Sequence, residues 1–157
     1  MTHLESRISA ILESQRMCYL ATANHSFVDN AMIAFYPEGF ELFFGSFSDT
    51  LKCRNIVENP QVAICVGQLQ IHGIAHLIAA ESPEYHQYVS KYLTRFPNYR
   101  FYFELQNNEF YRINPLVIWL YDSSKGTMHR EKLVLDQDYY YRLQPYETPE
   151  QFHKKTR

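Results

Sequence analysis

Residues 40–60, Phe-Glu-Leu-Phe-Phe-Gly-Ser-Phe-Ser-Asp-Thr-Leu-Lys-Cys-Arg-Asn-Ile-Val-Glu-Asn-Pro, run from an apolar segment through a polar turn into a short helical pattern. Phe40 to Ser46 reads as a strand. Ser46, Ser48 and Thr50 then supply hydroxyls, and Lys52 and Arg54 follow in the first turns of a helix predicted over about 49–58. That helix stops at Asn59-Pro60, because proline disfavours helical geometry in the residue before it. A helix N-terminus exposes unpaired N–H groups and the positive end of the dipole, so an anion can bind there. Hydroxyls beside a cation at that place suit a phosphate monoester.

Upstream, Thr2-His3-Leu4-Glu5 fits a capping box. Leu4, Ile8, Ile11 and Leu12 continue at helical spacing and predict a helix over 3–16. Met17 to Ala23 reads as a strand, Asn24-His25-Ser26 as a tight turn, and residues 27–36 as a second strand. Pro37-Glu38-Gly39 is a turn signal before the third strand. Downstream, Gln61 to Ala79 carries two strands or one long bent one, with Gly73 marking a bulge or bend. Pro83-Glu84 opens a helix in which Tyr85, Tyr88, Val89, Tyr92 and Phe96 keep helical spacing until Pro97. Further strands are predicted near 109–114, 116–122 and 131–135. Short strands at close spacing point to a mainly β fold, an antiparallel barrel whose closure removes exposed edges. N-terminal, middle and short C-terminal helices accompany it, the last starting at Thr148-Pro149-Glu150. Residues 1–135 form the domain, and 136–157 are a polar, Tyr-rich, loosely packed extension.

Apolar residues make up 46% of the 157-residue chain, enough for a core in one domain. A formal charge of −2 gives no general attraction to nucleic acid or to acidic lipid. Cys18, Cys53 and Cys65 are an odd set without a C-x-x-C, which predicts reduced thiols and a soluble, cytoplasmic protein. No signal-peptide pattern or membrane-length apolar run is read. No metal site is expected. His72 and His76 sit in a strand pattern, where four residues span roughly 13 Å, too far to chelate one ion. The stretch from Arg95 to Phe103 interleaves arginine with aromatics and predicts a dimer interface or a lid.

Several pieces occur in a telling order: Leu42-Phe43-Phe44-Gly45-Ser46; Thr50-Leu51-Lys52, Asn55-Ile56, Asn59-Pro60 and Val62-Ala63; Ile71-His72-Gly73-Ile74-Ala75; then Arg112-Ile113, Pro115 and Val117 to Asp122. Over residues 15–135 this order resembles the flavin-binding split-barrel proteins related to pyridoxamine 5′-phosphate oxidase. The resemblance implies an antiparallel split β-barrel homodimer with FMN at the subunit boundary. It puts the phosphate on Ser46, Thr50 and Lys52, with Gly45 and Leu51 in the same cofactor-binding set. Met32, Ile33 and Ala34 would border the isoalloxazine ring, Gln68 would touch it from the partner chain, and Trp119 would approach it. Arg54 is left to a surface pairing with Glu58.

Two departures narrow the function. The second strand reads Asp29-Asn30-Ala31-Met32-Ile33-Ala34, without the arginine of the vitamin-synthesising oxidases. Their C-terminal substrate-binding stretch has only a degenerate echo in Trp119 and Met128-His129-Arg130-Glu131. The expected function is therefore an FMN-dependent oxidoreductase acting on a small molecule other than pyridoxamine phosphate. The alternative is a non-catalytic haem- or flavin-binding protein, with His72 or His129 as the haem ligand; deazaflavin is a further alternative cofactor.

Overall fold

The computed structural model describes residues 1–126 and 129–147. Helix α1 (His3–Ser14) begins on the expected capping box: Thr2 Oγ1 accepts from the Glu5 N–H, and Glu5 accepts from the Thr2 N–H. It buries Ile8 and Leu12. Strand β1 (Met17–Ala23) points Cys18, Leu20 and Thr22 inward and pairs along its length with β2 (Val28–Ala34). The second strand is shorter than the expected 27–36. Phe35 is wholly buried and its N–H still donates to the facing Arg16 carbonyl, but the paired register ends at Met17 and Ala34. Tyr36–Glu38 then forms a short strand β3, so the turn falls at Gly39, whose φ of +60° suits glycine, and not at Pro37.

β4 (Glu41–Phe47) leads into α2 (Leu51–Glu58), followed by β5 (Gln61–Val66) and β6 (Leu69–Leu77). Helix α3 (Pro83–Arg95) is capped by Ser82 and ends before Pro97. A 3₁₀ turn over Pro97–Tyr99 and the single-turn helix α4 (Arg100–Phe103) come next. Then follow β7 (Asn108–Tyr121), β8 (Arg130–Val134) and α5 (Gln137–Leu143). All strands join one eight-stranded antiparallel sheet in the order β2-β1-β5-β6-β7-β4-β3, with β8 also on β7.

β7 corrects the expectation of two strands at 109–114 and 116–122. It is one continuous strand that pairs with β6 on one side and with β4 and then β8 on the other. Gly73 faces Pro115 and His72 faces Val117, which leaves Leu116 unpaired in a bulge. A bulge is one of the few places inside a sheet where proline is tolerated. Gly73 is required by close approach, since a Cβ there would lie 2.8 Å from Ile113 Cγ2 and 2.9 Å from the Asn114 carbonyl oxygen.

The curled sheet encloses one core, where Leu20, Ile33, Phe44, Ile64, Ile71, Tyr111, Ile118 and Leu120 meet Ile8 and Leu12 of α1 and Cys53 and Ile56 of α2. A second, aromatic cluster lies under α3, where Tyr92 and Phe96 pack near Phe43 and Phe110. The third covers the opposite face of β7, where Tyr140 of α5 packs with Val117 and Trp119. The extension is thus not loosely packed over 136–147. Asp136 caps α5 and the helix docks on the sheet. The helix expected at Thr148-Pro149-Glu150 lies outside the described residues. Among the described residues, no helix is long and apolar enough to cross a membrane.

Candidate functional site

The end of β4 and the start of α2 bring Ser46, Thr50 and Lys52 to one corner. Ser46 Oγ lies 3.3 Å from Thr50 Oγ1, and the Thr50 hydroxyl donates to the Phe47 carbonyl at 2.8 Å. Thr50 occupies the N-cap position of α2 yet makes no side-chain hydrogen bond to the helix. Helices α1, α3 and α5 are each closed by a cap side chain, from Thr2, Ser82 and Asp136. The first-turn N–H groups of α2 therefore keep the unsatisfied donors that an anion accepts. Leu51 is part-exposed beside them, and Lys52 is half-buried on the first turn. Arg54 is exposed on the same helix.

A buried amide fixes this corner to the barrel. Asn55 is wholly buried; its Nδ2 donates to Thr22 Oγ1 at 3.1 Å and its Oδ1 accepts from Asn24 Nδ2 at 2.7 Å. Helix α2 is thereby tied to β1 and to the β1–β2 turn. Of the β2 residues, Ile33 joins the core with Cys53 and Ile56, Ala34 joins the aromatic cluster, and Met32 stands 60% exposed. Gly45 lies beneath the aromatic stretch. A Cβ on Gly45 would sit 2.9 Å from Phe103 Cζ, and the Tyr102 ring meets Phe47 edge-on at 5.7 Å. Residues 97–107 thus pack across β4 beside the corner, where the Ser48 N–H also donates to the Asn107 carbonyl.

Gln68 is exposed in the β5–β6 turn. Trp119 lies on the other face of the sheet, 2% exposed, with its indole N–H donating to Glu147 Oε1 at 2.7 Å. The structure therefore gathers Gly45, Ser46, Thr50, Leu51 and Lys52, with the β2 residues near α2. Within the chain it leaves Gln68 and Trp119 apart from them.

A second polar group surrounds Trp119. Glu147 also accepts from Tyr140 at 2.6 Å and from Arg130 at 3.1 Å, and the Arg130 guanidinium lies 5.3 Å from the indole centroid. His72 meets Trp119 edge-on at 4.8 Å, with Nδ1 2.8 Å from the Tyr139 hydroxyl. Burial, and then the nearby Arg130 charge, hold the His72 pKa below 6.5 against the pull of Glu147. Tyr139 and Glu147 escaped sequence reasoning, whereas Arg130 stood in the degenerate C-terminal echo beside Trp119. Only the helix-start pattern Asp136-x-x-Tyr139 was there to find Tyr139. Cavities of about 270 Å³ and about 150 Å³ meet at His72, and neither is lined by Ser46, Thr50 or Lys52.

The pyridoxamine 5′-phosphate oxidase family model matches residues 4–122. No curated protein matches the chain. Among solved structures, General Stress Protein 26 from Bacillus anthracis is similar at 24% identity and a TM-score of 0.65, over 85% of this chain and 100% of that one. The haem storage protein HutZ from Vibrio cholerae is similar at 18% identity and a TM-score of 0.65, over 85% and 95% of the two chains. An FAD-binding protein from Mesorhizobium loti is similar at 15% identity and a TM-score of 0.62, over 75% and 92%. At these identities the likeness to the three structures is one of fold.

Proposed function

The chain belongs to the pyridoxamine 5′-phosphate oxidase family, and from that premise we propose that it is an FMN-binding oxidoreductase acting on a small molecule. The observation that carries this reading is the uncapped N-terminus of α2, set beside the hydroxyls of Ser46 and Thr50 and the Lys52 cation. These groups match a phosphate monoester in charge and in donors. FMN, when bound, supplies the hydride or electron chemistry. Ser46, Thr50, Lys52 and the first-turn N–H groups orient the phosphate end, while Met32, Ile33 and Ala34 give the ring an apolar border. Asn55 holds α2 at a fixed distance from β2.

Pyridoxamine 5′-phosphate itself is not the proposed substrate, because β2 carries no arginine between Asp29 and Ala34. The working unit is a homodimer. Tyr19 and Met32 face each other across β1 and β2, and Tyr19 also faces the exposed Cys65 on β5, so an apolar strip lies open on the sheet. A second copy covering it would bring Gln68 toward the flavin. The free thiols of Cys18, Cys53 and Cys65 favour a cytoplasmic setting.

The absorption spectrum of the purified protein after titration with FMN tests the reading. Two flavin bands that remain after desalting support it. A protein that releases FMN but gives a Soret band with haem overturns it in favour of haem binding. Native mass measurement checks the dimer.

A further inference from the structure

The larger cavity opens on the outer face of the sheet, apart from the phosphate corner. Its floor follows from side-chain size. Ala21 of β1 faces Ala63 of β5, and Ala63 faces His72 of β6, so directly opposed residues share one face. Two alanines in succession leave a flat, shallow depression. His72 rises at its end, and beyond it the same row continues through Val117 of β7 and Val134 of β8. Helix α5 covers that far part and stops at the depression, where Tyr139 meets His72 Nδ1 at 2.8 Å. This helix lies beyond residues 4–122, the stretch that matches the family model.

We propose that this cavity is a second ligand site, taking an uncharged molecule of one or two aromatic rings with a carbonyl or carboxamide that hydrogen-bonds to the His72–Tyr139 pair. Size sets the first limit. At about 270 Å³ the space falls just below the roughly 300–1,000 Å³ of drug-sized sites, too small for a flavin nucleotide. Shape sets the second: Ala21, Ala63 and Gly73 floor it with little relief, which suits a planar ring. Charge sets the third. No Lys, Arg, Asp or Glu lines the cavity among the described residues, so a ligand charge would find no counter-ion in its wall. The neutral imidazole and the phenol together offer one proton to a ligand oxygen and one acceptor to a ligand N–H.

Benzamide and benzoate, equal in shape and opposite in suitability, test the site on the full chain. Trp119 is the only tryptophan, so its indole N–H resonance is assigned without ambiguity, and it lies against His72. Benzamide is expected to shift the Trp119 indole and His72 ring resonances saturably, with benzoate at least ~tenfold weaker. Ala63→Leu fills the floor and should abolish the shifts while thermal stability is kept. Tyr139→Phe should weaken benzamide by about three- to tenfold, the loss expected for one hydrogen bond. Equal binding of the two probes, retained binding in folded A63L, or no shift with benzamide up to its solubility limit would each overturn the proposal. None of these readouts depends on bound flavin.

Discussion

Asn55 and Asn24, far apart in the chain, share a 2.7 Å hydrogen bond that locks the turn of the first hairpin to the helix carrying Lys52. Because Asn55 is wholly buried and also donates to Thr22, neither of its amide atoms has water to turn to. Asn55→Leu should destabilise the fold by about 2–3 kcal/mol, since two polar partners lose their bonds. Chemical denaturation checks this. FMN affinity should fall with it, because the corner then loses its fixed position against β2.

Lys52→Ala should weaken FMN by roughly tenfold or more, as a charge-assisted hydrogen bond to phosphate is lost. Riboflavin, which lacks the phosphate, should bind wild type and variant alike. Parallel fluorescence titrations with the two ligands give the answer. A variant that holds FMN as tightly as wild type removes Lys52 from the cradle.

Gly73→Ala places a methyl group 2.8 Å from Ile113 Cγ2 and 2.9 Å from a backbone oxygen of Asn114. The second of these cannot move without disturbing the sheet. A loss of about 1–3 kcal/mol is expected from this overpacking, read as a lower thermal midpoint. Gly39→Ala meets open space but a positive φ, so it should cost less.

Glu147 gives the stability an acid limb. Burial opposes its ionisation, but the Tyr140 and Trp119 hydrogen bonds and the Lys132 and Arg130 charges outweigh that, and its pKa lies below 4.5. The stability it contributes is complete above the unfolded-state value of about 4.5, and is lost as pH falls through the lower folded-state value. Glu147→Gln should flatten the stability curve below pH ~4.5. The Trp119 emission should shift to shorter wavelength, because the buried indole N–H loses its charged acceptor. Denaturation midpoints across pH, with the emission spectrum, check both.

Local chemistry made much of this legible in the sequence. The capping box of Thr2 and Glu5, the helix stop before Pro97 and the irregularity at Gly73 each depend on neighbours a few residues away. So does the corner of Ser46, Thr50 and Lys52, which spans a single turn. Phe35 was harder, since the end of β2 at Ala34 is set by where its pairing with β1 stops, across the hairpin. Helix α5 was hidden by its length: Tyr139, Tyr140 and Leu143 form an apolar side too short for periodicity to show. The joining of His72, Tyr139, Arg130 and Glu147 is a product of strand order, and spacing along the chain carries no trace of it.

The unpaired Leu116 exchanges the parity of β7. Before it, the odd-numbered Tyr111 and Ile113 fill the barrel; after it, the even-numbered Ile118 and Leu120 do so, and Val117 and Trp119 are turned out beneath α5. A regular alternation carried on through Leu116, with no bulge, would swing the tryptophan into the barrel and leave the C-terminal helix facing isoleucine and leucine. A single half-step in the backbone thus decides which side of the wall the chain's only indole occupies. It also gives the segment after residue 122 a surface on which to build.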